Sequence, residues 1–169
     1  MTEADYLALP EEKPYLEYVD GVVLQKPMPN LDHAQITGEL VLELGLYKRA
    51  AGGYVGVESR IRFTEGSNYR LPDASYWAPG SRPENDSAPT LAIEVRSPGQ
   101  TLGELREKCR FFRRNGVAVA WLADPATRTV EVFEGDRDGE SVDASSTLTS
   151  PSLPGFELDL AALFAVLDS

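Results

Sequence analysis

Asp73 follows Pro72 in a run that reads as a strand, and Glu94 is the sole charge in the short apolar run 91–95. If those two strands pair, both carboxylates can face the same side of a sheet, and paired acids of this kind bind a hard cation such as Mg²⁺. A carboxylate inside an apolar run needs a reason to be there. The alternative is ordinary: Asp73 is a turn acid after proline, and Glu94 pairs with an arginine. On the residues alone the two readings weigh about equally. Lys108 is the third member of the group. At ~100° per residue it lies beside the helical stripe Leu102, Leu105, Cys109 and Phe112, and its aliphatic stem could run along a sheet toward Glu94. It could equally form an exposed i,i+4 pair with Glu104, worth a few tenths of a kcal/mol, and spacing alone favours that pair. His33 stands one residue past Asp32, the expected helix cap, where the helix dipole favours a neutral ring. It is a candidate to touch substrate, although a lone histidine is more often an ordinary hydrogen-bonded residue.

Other chemistry is excluded by residue counts. Cys109 is the single cysteine and His33 the single histidine, so an intrachain disulfide, a cysteine zinc site and any multi-histidine metal site are ruled out. A Ser-His-Asp hydrolase is a poor fit for the same reason. The 169 residues, 42% hydrophobic and 25% charged, describe an ordinary globular chain expected to form one domain. It divides into an amino-terminal helix and hairpin (1–30), a core (31–134) and a loop with a closing helix (135–169). With 27 acids against 16 bases the net charge is −11, opposite to that of a protein that binds nucleic acid by neutralising phosphates. Clustered bases or a divalent metal would offset this, and many of the bases, from Arg60 to Arg114, fall in the middle third. The acidic opening and the lack of an apolar run near 18 residues are those of a cytoplasmic protein with no membrane span.

The elements that must position these residues follow from patterning. Thr2 with Asp5 predicts a short capped helix over 2–9. The runs 15–20 and 22–26 meet at Asp20-Gly21, a hairpin turn signal. Ile36, Leu40, Leu44 and Tyr47 form one helical stripe ended by Gly52-Gly53. Alternation over 54–63 predicts one half-buried strand, Gly66-Ser67-Asn68 a turn, 70–77 a strand interrupted by Pro72, and 78–89 a loop. Thr101 with Glu104 is a capping box opening a helix that stops at Asn115-Gly116. A second apolar run, 117–123, completes a strand-helix-strand unit. Residues 129–133 then pair back as an outer strand, 135–152 form a polar hairpin or loop, and Asp159 caps a last helix. Trp77 and Trp121 read as core.

The strings LPDASYW, LAIEVRSPG and TLGELREKCRFFRRNGVAVAWLADPATRTVEVF resemble the bacterial Uma family of restriction-endonuclease-like proteins, a branch of the PD-(D/E)XK nuclease superfamily. YLEYVDG near the start, the helix opening at His33 and SPSLPGFELDLAALF at the end extend the resemblance over nearly the whole chain. It implies an α/β fold with a central mixed β-sheet flanked by helices, and a metal-dependent DNA endonuclease. Asp73, Glu94 and the Val95 carbonyl would hold Mg²⁺ or Mn²⁺. The superfamily lysine normally stands two residues after the Glu, where this chain has Arg96. The resemblance implies that the lysine has moved to Lys108, which would orient or deprotonate the attacking water, with Arg96 left to contact phosphate. Glu17 matches the amino-terminal signature as an additional acid, whereas Glu39 fits a solvated helix face. DNA would be bound weakly without metal, and a homodimer would double the basic patch. The competing expectation, from the acidic balance and the absent Glu-x-Lys, is a catalytically silent scaffold or protein-interaction module.

Overall fold

In the computed structural model, which describes residues 1–63, 67–80 and 82–168, the chain opens with α1 (Glu3–Leu7). Thr2 and Asp5 close both bonds of its capping box. Strands β1 (Leu16–Val19) and β2 (Val22–Gln25) form the expected hairpin. Both turn residues, Asp20 and Gly21, have positive φ, as a twist-matched two-residue turn requires. Helix α2 (Leu31–Ala51) is capped by Asn30, whose side chain accepts from the His33 amide at 2.9 Å. The expected cap, Asp32, is instead inside the first turn. The helix ends at Gly52-Gly53, where a Cβ on Gly53 would stand 2.4 Å from the Trp77 carbonyl oxygen, so only glycine fits.

The alternating run 54–63 is two strands rather than one. β3 (Tyr54–Val57) and β4 (Ile61–Phe63) lie in different sheets, because the chain turns at Glu58, held at φ 47°. The run 70–77 divides in the same way at Pro72, which has no N–H to give a ladder. Its halves are β5 (Asn68–Arg70) and β6 (Ala74–Trp77). Of the turn expected at 66–68, Gly66 lies outside the described residues, Ser67 has a positive φ and Asn68 already belongs to β5.

From there the chain follows β7 (Leu91–Val95), α3 (Leu102–Arg114), β8 (Val119–Asp124), β9 (Thr129–Glu134) and β10 (Arg137–Asp143). The small pair β11 (Thr147–Leu148) and β12 (Leu158–Asp159), α4 (Leu160–Ala165) and a 3-10 turn at Val166–Asp168 complete it. The main sheet has the order β10-β9-β8-β7-β6-β3, with β7 and β8 parallel and joined through α3. β9 is thus interior and β10, from the stretch expected as a polar hairpin or loop, is the edge. The second sheet, β2-β1-β5-β4, stands apart. Among the described residues no helix is long and apolar enough to cross a membrane.

The main sheet divides two cores. Leu91, Ile93 and Val95 pack with Ile36, Leu40 and Leu44 of α2 and with the carboxy-terminal segment. Ala92, Ala120 and Leu122 pack with Leu105, Cys109 and Phe112 of α3 and with Ile61 and Phe63. This alternation puts Glu94, two residues from Ala92, on the α3 face. Fully buried Phe112 fixes the helix there, its ring centroid 5.7 Å from that of Phe63. Phe112→Ala should cost about 3–5 kcal/mol in urea denaturation, and a loss below about 1 kcal/mol would show that α3 is not held by this packing.

The two changes of sheet lie side by side and form a seam. Backbone groups that leave one ladder before joining the next need other partners, and here side chains supply several of them. The Glu58 amide donates to the Asp73 carbonyl at 3.3 Å. The Leu71 amide donates to Glu17 Oε1 at 2.7 Å, and the Leu71 carbonyl accepts from Lys26 Nζ at 2.7 Å.

Candidate active site

The β6–β7 register pairs Ala74 with Ile93 and Ser75 with Ala92. Continued by one step it sets Asp73 opposite Glu94, the cross-strand position whose side chains share a face. The Val95 amide donates to Asp73 Oδ2 at 2.7 Å, fixing that carboxyl against β7. The first turn of α2 brings His33 Nε2 to 3.2 Å from the same oxygen, and Lys26 Nζ donates to Oδ1 at 2.9 Å.

Lys108 reaches the group from α3. Its Nζ lies 2.8 Å from Glu94 Oε1 and 2.8 Å from Glu17 Oε1. Glu17 comes from β1 in the second sheet and also faces Arg70 Nε at 3.3 Å. The lysine therefore ties an acid of each sheet together, and the exposed pair with Glu104 does not form; Glu104 caps its own helix. Asp73, Glu94, Glu17 and Lys108 are all buried. They form one wall of a cleft of about 1200 Å³ whose rim includes Pro27, Pro29, Gly99 and Gln100.

Burial raises the Glu94 carboxyl, the nearby Asp73 charge adds to this, and Lys108 offsets only part, so Glu94 is pushed up to about 7. Burial acts in the same direction on Asp73, but the His33 hydrogen bond and the Lys26 charge outweigh it and hold that carboxyl well below the usual range. Two acids a strand apart thus titrate far from each other, an arrangement typical of functional sites. Burial disfavours the Lys108 ammonium, yet Glu17 and Glu94 more than compensate and raise it above its ordinary value.

Of the residues singled out from the sequence, Asp73, Glu94, Val95, Lys108, Glu17 and His33 come together in this cleft. Arg96 does not. Its Nη1 pairs with Asp124 at 3.1 Å and its Nε donates to the Gln100 carbonyl, so it straps the 97–100 loop to the end of β8. Tyr76 and Trp77 donate to the Gly52 and Ser87 carbonyls. The sequence reading missed Lys26 and Glu58, whose side chains meet at 3.1 Å beside Asp73. One signal was available: Lys26 is the single lysine or arginine between Lys13 and Lys48.

A family model described as "Uma2: Putative restriction endonuclease" matches residues 3–161. The chain belongs to the Uma2 family. Among solved structures it resembles the "Crystal structure of a putative nuclease belonging to DUF820 from Anabaena variabilis ATCC 29413", with TM-score 0.86, 28% identity and 99% of each chain covered. A slighter likeness is to the "cryoEM structure DrdV-DNA complex", with TM-score 0.47 and 16% identity over 75% of this chain and 11% of that one. No curated protein matches. The Uma2 chain thus has an α/β fold, a mixed sheet flanked by helices, in close agreement with that nuclease structure.

The Uma2 cleft fits a divalent metal in its donor chemistry. Glu94 is 2% exposed, and no hydrogen bond reaches its Oε1, which Lys108 approaches only as an ion pair. A divalent cation bound there would share the Glu94 carboxylate with the Lys108 ammonium, 2.8 Å from Oε1. Among the described residues no group of three or more His, Cys, Asp or Glu is arranged to hold a metal. The protein's share would be two carboxylates and backbone oxygen, as suits Mg²⁺, which keeps several waters.

Proposed function

We propose that this Uma2 protein is a divalent-metal-dependent endonuclease that hydrolyses phosphodiester bonds in DNA. The observation that carries this reading is the pairing of Asp73 with Glu94 across β6 and β7, with the Lys108 ammonium against Glu94 at the wall of an open cleft. Asp73, Glu94 and the Val95 carbonyl would hold Mg²⁺ or Mn²⁺, which supplies Lewis-acid polarisation of the scissile phosphate.

The remaining roles belong to the chain's own groups. Lys108, buried between two acids that favour its charged form, acts as an ammonium that orients the attacking water and offsets charge developing on the phosphate. It is not the base. Glu17 positions Lys108 from the second sheet, and His33 holds Asp73 Oδ2 in place. Arg70, also in the cleft and paired with Glu17 at 3.3 Å, is a further cation near the position of a phosphate. Arg106, Arg110 and Arg114 are already paired with Glu131, Asp138 and Glu107. Few phosphates can therefore be engaged, and cutting both strands of a duplex calls for two copies of the site, hence a homodimer on DNA.

The test combines calorimetry and duplex binding. Mn²⁺ should bind the wild type and not Asp73→Ala. Duplex affinity should be weak in EDTA, improve with Ca²⁺, and show a shallow log-log salt slope of about 2–4, against about 10 for a strong binder. Equal DNA affinity with Ca²⁺ and EDTA, or no Mn²⁺ heat, would favour a silent scaffold.

A further inference from the structure

Lys26 leaves the end of β2 and buries its ammonium among three oxygens from two parts of the chain. These are Leu71 O at 2.7 Å, Asp73 Oδ1 at 2.9 Å and Glu58 Oε1 at 3.1 Å. Two carboxylates and a carbonyl are the donors a hard divalent cation selects. Glu58 is brought there by a left-handed backbone, uncommon for a residue with a side chain, and such strain persists where the surroundings over-determine it. Its amide is bonded to the Asp73 carbonyl, so the two acids are clamped together at the backbone as well. The Lys26 side chain is 8% exposed and that of Glu58 39%, so this nest opens on the cleft through Glu58.

Two-metal hydrolytic sites hold their ions about 3.5–4 Å apart. In this chain the two Asp73 oxygens face different neighbours: Oδ1 faces the Lys26 ammonium, and Oδ2 lies toward β7 and His33. The partner of Asp73 across the strands, Glu94, forms its ion pair with Lys108, while Lys26 pairs with Asp73 and Glu58. We propose that the Lys26 ammonium is a resident cation occupying the second of two cation positions, so that the site takes one divalent ion rather than two. The proposal rests on the reading of Asp73 and Glu94 as metal ligands. A tethered lysine neutralises Glu58 and Asp73 without depending on ion concentration, and it leaves a single exchangeable position.

The experiment is a count of bound Mn²⁺ by calorimetry and electron paramagnetic resonance, with melting temperature recorded in parallel. The wild type should bind one ion. Lys26→Ala should bind two, and its melting temperature, lowered because two acids lose their counter-charge, should recover in millimolar Mn²⁺. Lys26→Ala with Glu58→Gln should return to one ion and lose that recovery. If Lys26→Ala is unfolded without metal, folding on Mn²⁺ addition supports the proposal and failure to fold overturns it. Two ions on the wild type, or one on Lys26→Ala with no extra thermal gain, overturns it while leaving the metal reading intact. No ion on the wild type overturns the metal reading and the proposal together.

Discussion

Lys108→Met should lower the rate of DNA cleavage by about 10²–10³-fold, the range expected for loss of one preorganised donor that stabilises developing charge, without weakening Mn²⁺ binding. The ammonium sits 2.8 Å from Glu94, so its removal takes away a positive charge that competes with any metal there. Stability should fall, since Glu17 and Glu94 both lose a buried partner and breaking such pairs costs about 3–5 kcal/mol. A fall in activity through unfolding is separated from a loss of chemistry by assaying below the melting temperature with metal bound. Glu17→Gln is the companion. It keeps the lysine but removes its anchor in the second sheet, and should give an intermediate loss. Undiminished cleavage by Lys108→Met would remove this residue from the mechanism.

Glu94→Gln should behave as a pH-dependent stabiliser that abolishes metal binding. Glu94 has an ordinary value of 4.5 and is pushed up to about 7 in the fold. Between these values the folded protein retains a proton that the unfolded chain has released, so the contribution of Glu94 to wild-type stability is greatest below 4.5 and declines as pH rises toward 7. The decline should total about 3 kcal/mol at about 1.4 kcal/mol per unit. Glutamine does not titrate. The melting temperature of the variant relative to wild type should therefore climb by several degrees across that window, and a pH-independent difference would refute the assignment. Mn²⁺ affinity of the wild type should strengthen over the same range as the carboxylate ionises, whereas the variant should bind none.

The parts of this arrangement that the sequence made legible are those encoded locally. Thr101 and Glu104 cap α3 through neighbours three residues apart, and the apolar runs of β7 and β8 mark buried parallel strands whatever surrounds them. Asp73 and Glu94 stood out because one follows a proline and the other interrupts such a run. What escaped was set by long-range contact. Lys26 meets its partners 32, 45 and 47 residues away, and nothing nearby marks it. Glu58 read as a solvent-facing residue of a continuous strand, because alternation carries on unchanged when a chain passes from one sheet to another. Arg96 shows the reverse case: its place relative to Glu94 suggests a phosphate contact, while in the fold it pairs with Asp124, 28 residues on.

The seam between the sheets bears on how such chains diverge. Glu17 and Lys26 terminate the ladder of Leu71, and Asp73 takes the amide of Val95, so three of the cleft's charges also repair backbone where no strand can. Mutational drift that silenced the proposed cleavage would still be selected against at these positions, because losing them exposes unsatisfied peptide groups at the join. In a descendant of this fold, retention of these charges marks an intact join. Loss of function would register first at Lys108, His33 or Glu94, which carry no backbone of the seam.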